Sequence, residues 1–154
     1  VTVDVPVIDD AIDEPSEDLT VSGTVTSGNT SNTDPSGTVT ITDNDNTPTV
    51  SISDITVAED VGNATVTVSI DVASSVDTVI DIVTTDGSAS EPGDYTEVIT
   101  TVTIPAGSTS VTVDVPVIDD AIDEPSEDLT VSGTVTSGNT SNTDPSGTVT
   151  ITDN

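Results

Sequence analysis

The chain of 154 residues carries 29 Asp and Glu and no Lys, Arg or His, a formal net charge of -29. No internal salt bridge is possible, and only solvent or bound cations offset a repulsion that opposes compaction. The composition excludes a phosphate clamp and an electrostatic grip on nucleic acid, is repelled by an anionic membrane surface, and removes the His and Cys that serve as general base, thiol nucleophile and zinc ligand.

Scarce aromatics and high charge lean towards disorder on composition alone, but the residue pattern does not. Residues 1–44 are identical, at all 44 positions, to residues 111–154, an offset of 110. A complete unit therefore runs over 45–154. Residues 1–44 read as the back part of the unit before it, its last three strands; unable to close a sandwich alone, they are expected to be disordered, to pair with another molecule, or to be a window on a continuous array. A period of 110 suits an independently folding domain in tandem.

Within the unit the signal has period two. The first strand is expected near 49–57, where Val50 and Ile52 alternate with polar residues, and Gly62-Asn63 marks the next turn. Val66, Val68 and Ile70 alternate with Thr65, Thr67 and Ser69 in a strand near 64–71, closed by Ala73-Ser74-Ser75. A third strand is expected near 77–84. Asp86-Gly87 and Pro92-Gly93 punctuate the loop before a fourth, near 97–104. After Pro105-Ala106-Gly107, Val111, Val113, Val115 and Val117 define a strand near 109–118. The last two lie near 129–137 and 147–152, separated by Asp144-Pro145-Ser146-Gly147. Thr, Val and Ile, all β-branched strand formers, dominate throughout. Seven such strands predict an all-β, seven-stranded antiparallel two-sheet sandwich, an immunoglobulin-like Greek key, with a thin aliphatic core. Tyr95, the lone aromatic, is expected to pack beside the acidic end and to orient Asp94.

The acids are unevenly placed. Residues 119–128 hold Asp119, Asp120, Asp123, Glu124, Glu127 and Asp128, in a loop between two expected strands. The first copy repeats them as Asp9, Asp10, Asp13, Glu14, Glu17 and Asp18. Others fall at strand ends: Glu59-Asp60, Asp86, Glu91 and Asp94, with Asp43 and Asp45 at the repeat junction. With no Lys or Arg nearby, such clustering only raises repulsion. A hard cation changes that balance. Ca²⁺ takes six to eight oxygens in irregular geometry, whereas Mg²⁺ demands a tighter octahedron, and oxygen-only ligands argue against zinc or copper. Two familiar calcium motifs do not fit. The stretch Asp43-Asn44-Asp45-Asn46-Thr47-Pro48 begins like an EF-hand loop but has Pro where that loop needs Gly. The glycine-rich calcium nonapeptide is absent.

Gly93-Asp94-Tyr95, the loop Asp119-Asp120 with Glu124 and Glu127, the closing Gly147-Thr148-Val149-Thr150-Ile151-Thr152-Asp153-Asn154 and the early Val57-Ala58-Glu59-Asp60 resemble, in order, the marks of the Calx-beta domain. The resemblance spans 45–154. It implies a seven-stranded sandwich with Ca²⁺ at one end, near the linker to the next domain. Carried over by position, the implied metal ligands are Glu59, Asp94, Asp119, Asp120, the carbonyl of Ile122, Glu124 and Asp153, with Glu127 as a further one. In the first copy they are Asp9, Asp10, Glu14, Glu17, Asp43 and Asp45, whose partners equivalent to Glu59 and Asp94 lie outside the copied segment. Where the family often ends in three consecutive Asp, this chain has Asp43-Asn44-Asp45.

Near-identical acidic copies resemble the repeats of large RTX-type bacterial surface adhesins. The function expected from this is a calcium-stabilised extracellular spacer on a bacterial cell surface, its partners being neighbouring identical repeats, with no nucleic acid and no direct membrane binding. Two alternatives are a subunit of a non-covalent extracellular filament, a homo-polymer in which residues 1–44 complete a neighbour, and a calcium-sensing regulatory domain like those of sodium–calcium exchangers. Enzyme activity is not expected. A carboxylate pair could hydrolyse a glycoside, but one Tyr is poor provision for a sugar platform.

Overall fold

The structure, a computed structural model, describes residues 2–154. Two sheets of the complete unit face each other across a core of β-branched and aliphatic side chains. Its strands are β4 (Val50–Ile52), β5 (Ile55–Ala58), β6 (Asn63–Ile70), the short β7 (Ala73–Ser74), β8 (Thr78–Asp86), β9 (Ile99–Ile104), β10 (Ser110–Pro116), β11 (Glu127–Ser137) and β12 (Ser146–Thr152). The first copy contributes β1 (Ile12–Asp13), β2 (Glu17–Ser22) and β3 (Ser36–Ile41). One layer has the order β10-β6-β4 and the other β5-β12-β11-β8-β9.

The period-two pattern places alternate residues inside. Val66 and Val68 of β6 and Val113 and Val115 of β10 are buried against Ile80, Ile82, Leu129, Val131 and Val149 of the larger sheet. The pleat alone produces this, because successive side chains point to opposite faces. The chain is thus an all-β sandwich, as its sequence predicts.

The first expected strand is not continuous. It breaks at Ser53-Asp54 into β4, antiparallel to β6 in the smaller sheet, and β5, parallel to β12 in the larger. The apolar phase explains the break. Val50 and Ile52 occupy even positions, Ile55 and Val57 odd ones, so one flat strand cannot bury both pairs. The crossing is held by the Ser53 amide donating to the Thr67 carbonyl at 2.9 Å and by the Thr148 amide donating to Asp54 Oδ1 at 2.8 Å. It also corrects the expectation of a wholly antiparallel sandwich, since β5 and β12 run parallel.

Tyr95 is 1% exposed and bridges to Val117, and its hydroxyl donates to Asp86 Oδ1 at 2.6 Å. Burial first, and then that carboxylate, push the phenol up to about 12. Asp86 is held below its usual range, chiefly by the same hydroxyl and then by the Glu91 amide. This pair pins the base of the loop that bears Asp94.

In the first copy, β2 and β3 pair with the register of β11 and β12, from Glu17 opposite Ile41 to Ser22 opposite Ser36. Residues 3–7 form no strand, although the identical residues 113–117 include most of β10. β10 depends on β6 for its hydrogen bonds, and residues 1–44 contain no copy of β6. Val7 is therefore 56% exposed where Val117 is 7% exposed.

The sheet crossing needs Gly147. A Cβ there would stand 2.7 Å from the Ser53 carbonyl oxygen and 2.8 Å from that of Ile52. Gly147→Ala is expected to force β4 and β12 apart and to cost about 1–3 kcal/mol, the usual range for overpacking. Urea titration followed by circular dichroism checks this. An unchanged midpoint would show that the crossing tolerates a side chain.

Candidate metal centre

The strand directions bring four segments to one end of the sandwich. β5 runs into a 3-10 turn at Glu59–Val61, β8 ends in the loop bearing Asp94, β10 opens into the acidic loop that β11 closes at Glu127, and β12 runs out to Asp153. Glu59, Asp94, Glu124, Glu127 and Asp153 line one small pocket there, walled by Ile118, Pro125 and Ile151. Its volume is about 10 Å³, roughly the room one water-sized occupant takes.

Carboxylate oxygens of Asp94, Glu124 and Glu127 lie within 4.8 Å of one another. Ligands on opposite sides of a cation with bonds of about 2.4 Å would be separated by about that distance. Asp94 is oriented by its other contacts, since Oδ2 accepts from the Ser90 amide at 2.7 Å and the Ser90 hydroxyl at 3.3 Å. Glu59 is buried, and its Oε1 accepts the Asp120 amide at 2.6 Å. Asp120 in turn folds its own loop, its Oδ1 accepting from the Ile122 amide at 2.6 Å.

Not every implied ligand reaches the pocket. Asp119 accepts a long, 3.4 Å hydrogen bond from the Asn154 amide instead. Asp120 stands at the rim, near enough for its charge to act on Glu124. Ile122 is 62% exposed at the loop tip and is not part of the pocket wall. The first copy repeats half of the arrangement. Asp9, Asp10, Glu14, Glu17, Asp43 and Asp45 surround a wider pocket of about 220 Å³, with no counterpart of Glu59 or Asp94 to close it.

The electrostatics follow from packing carboxylates together without a cation. Partial burial first, then Asp120, Asp94, Glu59 and Asp153, push Glu124 above the usual carboxylate range. Burial, then Asp94, do the same to Glu127. In the first copy, Glu14 and Asp45 are raised in the same way, by burial and then by Asp10 and Asp43 respectively. The site is an all-oxygen donor set of one sign, suited to a hard divalent cation and to no softer metal. The walls Ile118 and Ile151 were not singled out by the sequence reading. Each is the last apolar residue one or two residues before an acid, Ile118 before Asp119 and Ile151 before Asp153.

A family model described as the Calx-beta domain matches residues 1–46 and 42–154. Among solved structures, the apo form of the Calx CBD1 domain superposes with a TM-score of 0.60 at 23% identity, over 71% of this chain and 99% of that one. The calcium binding domain CBD12 of CALX1.1 gives 0.61 at 24% identity, over 67% of this chain and 44% of that one. The Calx CBD2 domain gives 0.52 at 12% identity, over 66% of this chain and 85% of that one. No curated protein sequence matches.

The raised carboxyls set opposite pH responses with and without metal. In chelator, the folded state binds protons more tightly than the unfolded state at Glu124 and Glu127, so stability falls as pH rises through the carboxylate range. The metal-free protein is therefore expected to melt higher near pH 5 than at pH 7. With calcium, protons compete for the same oxygens, and the order should reverse. Calorimetric scans at both pH values, with calcium and with EDTA, check this.

Proposed function

The chain belongs to the Calx-beta domain family, and on that premise we propose that it is a calcium-stabilised spacer in an extended extracellular array, of the kind carried by large bacterial surface adhesins or fibres. The observation that supports this is the pocket bounded by Asp94, Glu124 and Glu127, three carboxylates converging in a chain with no cation of its own. Ca²⁺ is the cation that such an irregular all-oxygen set suits. Asp94, Glu124 and Glu127 would hold it, with Glu59 and Asp153 completing the set from the turn after β5 and the tail of β12. Bound there, it supplies the positive charge that ties the loops to the strand leading towards the next unit.

A spacer needs length, repetition and little else. β11, at 11 residues, spans about 36 Å, so each unit adds a few nanometres along its long axis. Identical copies add that length in proportion to their number. The pocket is too small for a sugar or peptide substrate, which favours a non-catalytic role, and the charge favours neither nucleic acid nor a membrane surface as partner. The neighbours it suits are further copies of itself. A second reading, the non-covalent filament, is favoured by the exposure of Val3 and Val7 in the first copy, whose twins Val113 and Val117 are buried. Strands β4 to β9 of another chain would cover that face.

Thermal melting with calcium and with EDTA separates these readings from a metal-independent fold. At free calcium 100 times the dissociation constant, one site is expected to add about 2.7 kcal/mol, and Glu124→Gln should remove most of that gain. Equal melting in calcium and EDTA would refute the calcium reading. Light scattering that grows with protein concentration, with calcium present, would point to the filament.

A further inference from the structure

The end of the sandwich opposite the acidic pocket carries a second, unrelated contact. There β1, from the acidic loop of the first copy, pairs in parallel with β7, Ile12 opposite Ala73 and Asp13 opposite Ser74. The Ser75 amide donates to the Asp13 carbonyl at 3.0 Å. The Asp13 side chain is 3% exposed. Its two oxygens accept the Asn139 amide at 3.1 and 2.8 Å, and Oδ2 also receives the Ser74 hydroxyl at 3.4 Å. A carboxylate removed from water in this way requires such donors, because burying it unpaired is costly.

The identical residues in the second copy are free. Ile122 is 62% exposed, and Asp123, the twin of Asp13, is exposed as well. The same tip is therefore docked in one copy and exposed in the other.

We propose that this contact is the joint between successive units: the Ile122-Asp123 tip of one copy docks as a two-residue strand on Ala73–Ser75 and Asn139 of the next. The occupant of that groove is a second copy of this chain's own acidic loop, and of nothing else. A short tether supports the assignment. Asp45 lines the first copy's pocket, while Pro48 is buried in the second sandwich, where its carbonyl accepts the Ser141 amide at 2.8 Å. The intervening chain reaches about 11 Å at most. The Thr49 amide donates to Asp71 Oδ1 at 2.6 Å, and the Val50 amide to Asn142 Oδ1 at 2.8 Å, so the linker is stitched down on arrival. One covalent tether would leave the units free to swivel. The clasp at Asp13 adds a second attachment point and sets their orientation, acidic end against plain end.

The joint goes beyond the calcium reading and is tested apart from it. The chain has no cysteine, so nitroxide labels can be placed at Thr20→Cys in the first copy and Thr100→Cys in the second. Pulsed dipolar spectroscopy of the whole chain should give one narrow distance distribution. Asn139→Ala, an exposed loop change remote from the metal ligands, should widen it at least twofold, as should Asp13→Ala. Asp123→Ala removes the same charge from an undocked tip and should leave the width unchanged. A distribution as narrow in Asn139→Ala as in the parent, or one widened equally by Asp123→Ala, would overturn the joint. Loss of calcium binding with the narrow distribution intact would sink the spacer's metal mechanism and leave the joint standing.

Discussion

A polypeptide with carboxylates and no cation must find its counter-charge elsewhere, and every feature of the acidic end answers to that constraint. Other acids, such as Asp71 and Asp81, stand exposed elsewhere, but Glu59, Asp94, Glu124, Glu127 and Asp153 are gathered at this end. β5, the β8–β9 loop, the β10–β11 loop and β12 deliver them to one place, and the price is visible in the raised carboxyls of Glu124 and Glu127. An arrangement so unfavourable on its own is what an ion site looks like before its ion is counted. The hydrogen bonds around it follow the same logic. With no ammonium or guanidinium to call on, Glu59, Asp94 and Asp120 are oriented by backbone amides and by Ser90.

Much of the sandwich was legible because the code for it is local. Val66, Val68 and Ile70 alternate with Thr and Ser and declare a buried face without any knowledge of partners. The break at Ser53-Asp54 was not, since 49–57 reads as one strand until the second sheet gives the slip from even to odd apolar positions a meaning. At the site, Asp94, Glu124 and Glu127 were found through motif and converge in space. Asp119 and Ile122 belong to the same motif and lie elsewhere. Sequence order places a residue in a loop, whereas the loop's own hydrogen bonds decide which way its side chains face.

The two copies supply an internal control on what identical residues do in different company. Val113 and Val115 pair with β6 and are buried, while Val3 and Val5 have the same side chains, no β6, and stand exposed. By contrast, β2 and β3 keep the pairing of β11 and β12 down to the Thr40–Asp18 contact that mirrors Thr150–Asp128. Hairpin strands carry their partner with them, whereas a strand whose neighbour is distant in sequence does not. No reading of residues 1–44 alone could separate these two outcomes, since the deciding residues lie in 45–110. Asp13 makes the same point from the other side, for its twin Asp123 has the same neighbours in sequence and is exposed where Asp13 is buried.

The parallel pairing of β5 with β12 sets how a unit bears tension. The chain enters the larger sheet through β5 and leaves it through β12, adjacent strands registered from Ile55 with Val149 to Ala58 with Thr152. A pull on the two ends of the unit drags these strands past each other along their length. All the hydrogen bonds between them are then loaded at once, in shear, rather than opened one by one from an end. The loaded strands run on to Glu59 and Asp153 of the acidic pocket, so a unit pulled at its ends resists where a hairpin-ended sheet would unzip.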